Sequence, residues 1–119
     1  MTVLLIEDDE GLRTALARVL EIAGFKVASF ASAEDCLASG IVADADCAVC
    51  DVQLTGQSGF ELARRLAQDG SAIPVIFITA HDSAATRAGA QQLGAAAYLP
   101  KPFDGHALLG AVREATRSH

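Results

Sequence analysis

Short apolar runs alternate with stretches of helical period along this chain, and that alternation limits the fold more than any other feature. Residues 3–6 are continuously apolar, as a strand covered on both faces should be. From Glu10 the period changes: Leu12, Leu16, Val19, Leu20 and Ala23 recur at helical spacing, and Gly24 supplies a stop. Residues 25–30 read as a second strand. Ser32-Ala33-Glu34-Asp35 resembles a capping box and opens a short helix ending near Gly40. Residues 47–50 form a third strand that ends at Asp51, and residues 52–58 form a loop containing Gly56. Ser58 with Glu61 repeats the capping-box pattern ahead of Phe60, Ala63, Leu66 and Ala67 on one helical face, and Gly70 closes that helix. Residues 74–79 are a fourth strand, with Pro74 at its start, where a missing N–H matters least. Asp82 or Ser83 caps an alanine-rich helix closed by Gly94. Residues 96–99 are a fifth strand, and Asp104 caps a last helix to about Thr116.

Five strands and five helices in strict order predict an α/β fold: a doubly wound, five-stranded parallel sheet with helices on both faces, in one domain over residues 1–119. The chain is 51% hydrophobic and 20% charged, which argues against disorder. Nine basic residues against 15 acidic ones leave a net charge of −6. That balance disfavours direct binding to nucleic acid or to an anionic membrane. No apolar run approaches the roughly 20 residues of a membrane span, and the first residues lack the basic region of a signal peptide. The expected compartment is the cytoplasm. Cys36, Cys47 and Cys50 are an odd set and do not make a disulfide framework. Cys47 and Cys50 form a CxxC within a strand, where side chains three apart face opposite ways. They are expected to be core residues, not a redox pair or a zinc site.

Doubly wound sheets bind ligands beyond the carboxyl ends of their strands. At those ends stand Glu7, Asp8, Asp9 and Glu10 after the first strand, Asp51 after the third, Thr79 and Ala80 after the fourth, and Lys101 between two prolines after the fifth. Each has an ordinary reading alone: a solvated acidic run, a loop cap, a strand threonine, an exposed lysine. The fold brings them to one edge. Two carboxylates about 4 Å apart repel by roughly 4 kcal/mol at an effective dielectric near 20. Either their pKa values rise or a cation sits among them. All-oxygen ligands without thiolate or imidazole suit magnesium. Carboxylates, magnesium and a lysine make a phosphoryl-transfer site, with one carboxylate able to serve as nucleophile.

The stretches Leu4-Leu5-Ile6-Glu7-Asp8-Asp9-Glu10, Val49-Cys50-Asp51-Val52-Gln53-Leu54-Thr55-Gly56-Gln57-Ser58-Gly59, Pro74-Val75-Ile76-Phe77-Ile78-Thr79-Ala80-His81 and Tyr98-Leu99-Pro100-Lys101-Pro102-Phe103 resemble, in order and spacing, the receiver domain of bacterial two-component response regulators. The third and fourth stretches look most like receivers of the FixJ type. The resemblance covers the whole chain and implies a flavodoxin-like strand order of 2-1-3-4-5. It implies that Asp51 accepts phosphate, and that Glu7 and Asp8 form the acidic pair, Asp8 on magnesium directly and Glu7 through water. Four apolar residues before Glu7 favour this pair over Asp8 with Asp9. Gln53 would give its backbone carbonyl to the metal. Thr79 and Lys101 would bind phosphoryl oxygens, with Ala80 beside them, small enough to leave the acceptor open. Thr79 and Tyr98 would form the switch, the tyrosine ring turning from solvent into the fold. Gln53 and His81, each two residues past a site residue, would tune dephosphorylation. The Lys101–Pro102 bond resembles one usually cis in receivers. Thr55 departs from the pattern: receivers usually carry proline there, and threonine leaves the backbone freer.

The implied function is a phosphoacceptor switch: a sensor histidine kinase donates phosphate to Asp51 with magnesium, and the domain catalyses only its own phosphorylation and dephosphorylation. The face of the fourth helix, fifth strand and fifth helix would then change, available to a second copy or an output partner, with a transcriptional output. Two other readings use the same fold or residues. A haloacid-dehalogenase-type phosphatase also has a strand-end Asp, a Thr, a Lys and magnesium, but needs a second Asp where Gln53 stands. A flavodoxin-like FMN protein wants a hydroxyl-rich loop after the first strand, where this chain has acids, and aromatic residues to flank a flavin; there is no Trp, and Tyr98 is the single tyrosine.

Overall fold

The computed structural model describes residues 1–117; Ser118 and His119, the last residues of the expected domain, lie outside the described residues. The elements in order are β1 (Thr2–Ile6), α1 (Glu10–Ile22), β2 (Lys26–Phe30), α2 (Ala33–Ser39), a 3-10 turn (Ile41–Asp44), β3 (Cys47–Asp51), α3 (Gly59–Gln68), β4 (Val75–Thr79), α4 (Ala84–Gln92), β5 (Ala97–Pro100) and α5 (Gly105–Arg117). The five strands form one sheet in the order β2-β1-β3-β4-β5, every neighbouring pair parallel. The order reverses at β1, with β2 to one side and β3 to the other, so the β1 and β3 carboxyl ends flank the crevice where such sheets take ligands.

Alternation along the strands splits the core into two layers. Val3, Leu5, Cys47, Val49, Ile76 and Ile78 pack against Leu16 and Leu20 of α1 and Leu108 and Val112 of α5. Leu4, Ile6, Ala48, Cys50 and Phe77 face the other way, onto Ala33 and Cys36 of α2, Leu62 and Leu66 of α3 and Ala90 of α4. Cys47 and Cys50 therefore lie in different layers. Burial pushes the Cys36 thiol up to about 11 and Cys47 to about 12, and holds Cys50 well above its ordinary value. Thiols held neutral in this way are poor nucleophiles and poor metal ligands.

The helix starts follow local chemistry. Asp9, Ser32, Ser58, Ser83 and Asp104 each accept a backbone N–H from the first turn of α1 to α5. Ser58 and Glu61 complete a reciprocal capping box. Of the two caps expected for α4, Ser83 is the one used. Pro74 stays outside β4 but its carbonyl accepts the Ala48 N–H at 3.0 Å, so the ladder begins one residue before the strand.

Candidate functional site

The carboxyl edge of the sheet gathers most of the chemistry. Glu7, immediately after β1, is 1% exposed, and Asp51, the last residue of β3, is 4% exposed. Lys101 follows β5 and crosses the edge to both: its Nζ donates to Glu7 Oε1 at 2.8 Å and to Asp51 Oδ2 at 2.6 Å. The Lys101–Pro102 peptide bond is cis. The other oxygens are also engaged. Glu7 Oε2 accepts the Asp9 N–H at 3.1 Å, and Asp51 Oδ1 accepts the Gln53 N–H at 2.9 Å, which sets the Gln53 peptide beside the Asp51 carboxylate. Asp9 itself caps α1, while carboxylate oxygens of Glu7, Asp8 and Asp51 all lie within 4.8 Å of one another.

The Glu7 carboxyl is raised to about 6, chiefly by burial with a smaller contribution from the Asp51 charge, against the lowering effect of Lys101 and the Asp9 N–H. Burial works against the Lys101 ammonium too, but its bonds to Asp51 and Glu7 outweigh it and hold the group above its ordinary value. The lysine is thus a fixed positive charge between two buried carboxylates.

Thr79, at the end of β4, is fully buried. Its hydroxyl donates to Gln53 Oε1 at 2.6 Å and accepts the His81 N–H at 2.9 Å. The threonine proton therefore points at the Gln53 amide. Ala80 and His81 are exposed on the loop beyond. Tyr98 is half-buried. Its hydroxyl donates to Asp82 Oδ1 at 2.9 Å, and Asp82 also receives Arg87 Nε and Nη2 at 2.8 and 2.7 Å. The Arg87 guanidinium sits 5.6 Å from the tyrosine ring centre. Arg87 lowers the Asp82 carboxyl to about 2, with a smaller contribution from the Tyr98 hydroxyl. Tyr98 is thus held at its hydroxyl and over its ring face.

Three contributors carry no signal in the apolar pattern. Gly59 opens α3 directly against the end of β3: a Cβ there would lie 2.2 Å from the Asp51 carbonyl oxygen. Thr55 donates its N–H and its hydroxyl to Asp8 Oδ2, both at 3.3 Å. Glu34, at the start of α2, accepts the Gln57 N–H at 3.2 Å. A small residue just after a cap was the available sign for Gly59; the other two depend on how the β3–α3 loop folds back. A groove of about 660 Å³ lies at the opposite edge of the sheet, lined by Leu37, Val42, Leu66, Ile73 and Pro74 among others, away from all of these groups.

A 2-1-3-4-5 parallel sheet whose carboxyl edge carries three acids, a threonine and a lysine is the arrangement of a signalling receiver. The profile of the response regulator receiver domain matches residues 3–113. Transcriptional regulatory protein FixJ of Azorhizobium caulinodans is 41% identical over 108 residues, 91% of this chain and 51% of that protein. The C4-dicarboxylate transport transcriptional regulatory protein DctD of Rhizobium meliloti is 38% identical over 115 residues, 96% of this chain and 25% of that protein. The chain thus spans about half of one relative and a quarter of the other. The crystal structure of FixJ-N superposes with a TM-score of 0.88 at 32% identity, covering 99% of this chain and 94% of that one. The response regulator StyR gives 0.90 at 36%, covering 98% and 59%. The chain belongs to the response regulator receiver domain family. No helix among the described residues is long and apolar enough to cross a membrane.

Proposed function

We propose that Asp51 is the phosphoacceptor of a two-component relay, taking a phosphoryl group from a sensor histidine kinase in the cytoplasm. The observation that carries this reading is the Asp51 carboxylate, nearly buried at a strand end, paired to Lys101 and converging with Glu7 and Asp8. Asp51 attacks phosphorus, the bond to the donor's imidazole breaks, and an acyl phosphate forms on the carboxylate.

Magnesium fits this pocket: the convergent groups are carboxylate oxygens, and two of the three are already desolvated. Glu7, Asp8, Asp51 and the Gln53 backbone carbonyl would hold the ion. When bound, it neutralises charge on the transferring phosphoryl group. Lys101 trades a carboxylate for a phosphoryl oxygen. Thr79 releases Gln53 and donates its hydroxyl to another, with Ala80 leaving the approach open. The inward move of the β4–α4 loop makes room for Tyr98, which leaves Asp82. That change reaches the face of α4, β5 and α5, which meets an output partner or a second copy of the chain. Gln53 and His81 flank the line of water attack and set the lifetime. By likeness to FixJ and DctD, the output is transcriptional.

Incubation with acetyl phosphate and magnesium should add one phosphoryl group, read by intact mass, and Asp51→Asn should lose it. Full labelling of that variant would overturn the assignment.

A further inference from the structure

The β3–α3 loop is tied down by side chains at both shoulders. Leu54 packs into the core layer beneath it. Thr55 presents two donors to one oxygen of Asp8, and Gln57 donates its N–H to Glu34. Gly56 between them has φ +85°, and a Cβ there would come within 2.5 Å of Glu34 Oε2, so the loop lies directly on that carboxylate. Asp8 differs from its two partners in the acidic cluster. Glu7 and Asp51 are buried and fixed by Lys101, whereas Asp8 is exposed. The donors the structure gives its carboxylate are both on Thr55, and with them in place its oxygen already lies within ligand range of the other two.

We propose that Thr55 is a positioning residue for the metal: its hydroxyl and N–H hold Asp8 in the orientation in which it meets Glu7 and Asp51. Proline at this position offers neither donor. The inference rests on Asp8 being a magnesium ligand. Partners of this kind orient metal ligands and raise affinity, typically by 10- to 100-fold. Here the bonds are long and exposed and one survives loss of the hydroxyl, so a smaller effect of about threefold follows. Coupling is reciprocal: whatever Thr55 adds to metal affinity, the metal returns as order in the loop.

The test is magnesium binding by calorimetry, since the chain has no tryptophan, on wild type, Thr55→Val, Thr55→Ser and Asp8→Ala. Thr55→Val keeps the shape and the N–H but loses the hydroxyl; it should bind about threefold more weakly, with unchanged stability in the absence of metal. Thr55→Ser should bind like the wild type. Magnesium should slow hydrogen exchange at the Thr55 N–H in the wild type. Wild-type affinity in Thr55→Val alongside lost binding in Asp8→Ala would overturn the role of Thr55 and leave the metal site standing. Undiminished binding in Asp8→Ala would remove both.

Discussion

Adding one methyl group at each of two helical glycines should move stability in opposite directions. Gly110 lies inside α5, exposed, with nothing within 4 Å of an added Cβ. Alanine there gains the helix-propensity difference of about 1 kcal/mol. Gly59 also stands in a helix, and propensity alone points the same way. Its Cβ, however, would sit 2.2 Å from the Asp51 carbonyl oxygen, 3.0 Å from the carbonyl carbon and 3.1 Å from Cys50 Sγ. The two backbones must separate by about 1 Å to reach ordinary van der Waals range. Overpacking of this kind costs about 1–3 kcal/mol. The Gly59 N–H bond to the Val52 carbonyl, 2.9 Å, is strained in the process, adding up to about 1 kcal/mol. These costs come to about 1–4 kcal/mol and the propensity gain offsets up to about 1, so Gly59→Ala should lose about 1–3 kcal/mol in urea unfolding followed by far-ultraviolet circular dichroism. If Asp51 is the acceptor as proposed, its shift by about 1 Å can also cost roughly 100-fold in rate, so labelling by acetyl phosphate should slow far beyond any loss of folded protein. Gly110→Ala should gain stability and label normally. Equal stability of Gly59→Ala and wild type would refute the claim that α3 rests on the Asp51 backbone.

Other outcomes follow from the same contacts. Gln53→Ala removes the 2.6 Å acceptor that holds the Thr79 hydroxyl; the bond is worth about 1 kcal/mol net, so beryllofluoride should bind about fivefold more tightly. If magnesium binds with a Kd of about 1 mM, about 10 mM of it should stabilise the fold by about 1.4 kcal/mol, seen as a raised urea midpoint that Asp8→Ala abolishes. The three cysteines are buried with raised thiol pKa values, so an aromatic disulfide reagent at pH 8 should find none of them in the folded protein and all three in guanidinium; rapid native labelling would contradict the core assignment.

Much of the architecture was legible because it rests on period. Continuous apolar runs marked β1, β3 and β4, and Ser58 with Glu61 marked the start of α3. The order 2-1-3-4-5 came from the resemblance, since apolar patterning does not say which strands are neighbours. Boundaries moved where hydrogen bonding decided them: Pro74, without an N–H, stays outside β4 yet lends its carbonyl to β3. Side-chain bonds across loops were the least legible. The Thr79 hydroxyl on Gln53 spans 26 residues and the Thr55 donors on Asp8 span 47, separations that no periodic pattern reports. The expectation that Tyr98 turns from solvent came from the resemblance, which names no partner for its hydroxyl. Asp82, 16 residues earlier, supplies one, and does so because Ser83 rather than Asp82 caps α4.

All five residues of β3 are buried, and the strand is hydrogen-bonded on both sides, to β1 and to β4. Of the nine residues of α4 only Ala90 is buried. Opening β3 means dismantling the sheet, so Asp51 belongs to the unit that unfolds only globally, whereas α4 can open on its own at small cost. Exchange at the β3 amides should track whole-molecule unfolding, and exchange at α4 should be faster by orders of magnitude. The two are joined through a few side chains, Thr79, Tyr98 and the Asp82–Arg87 pair. On the proposed function, a signal would leave through a segment that rearranges many times within one lifetime of the folded molecule, while the geometry around Asp51 stays intact.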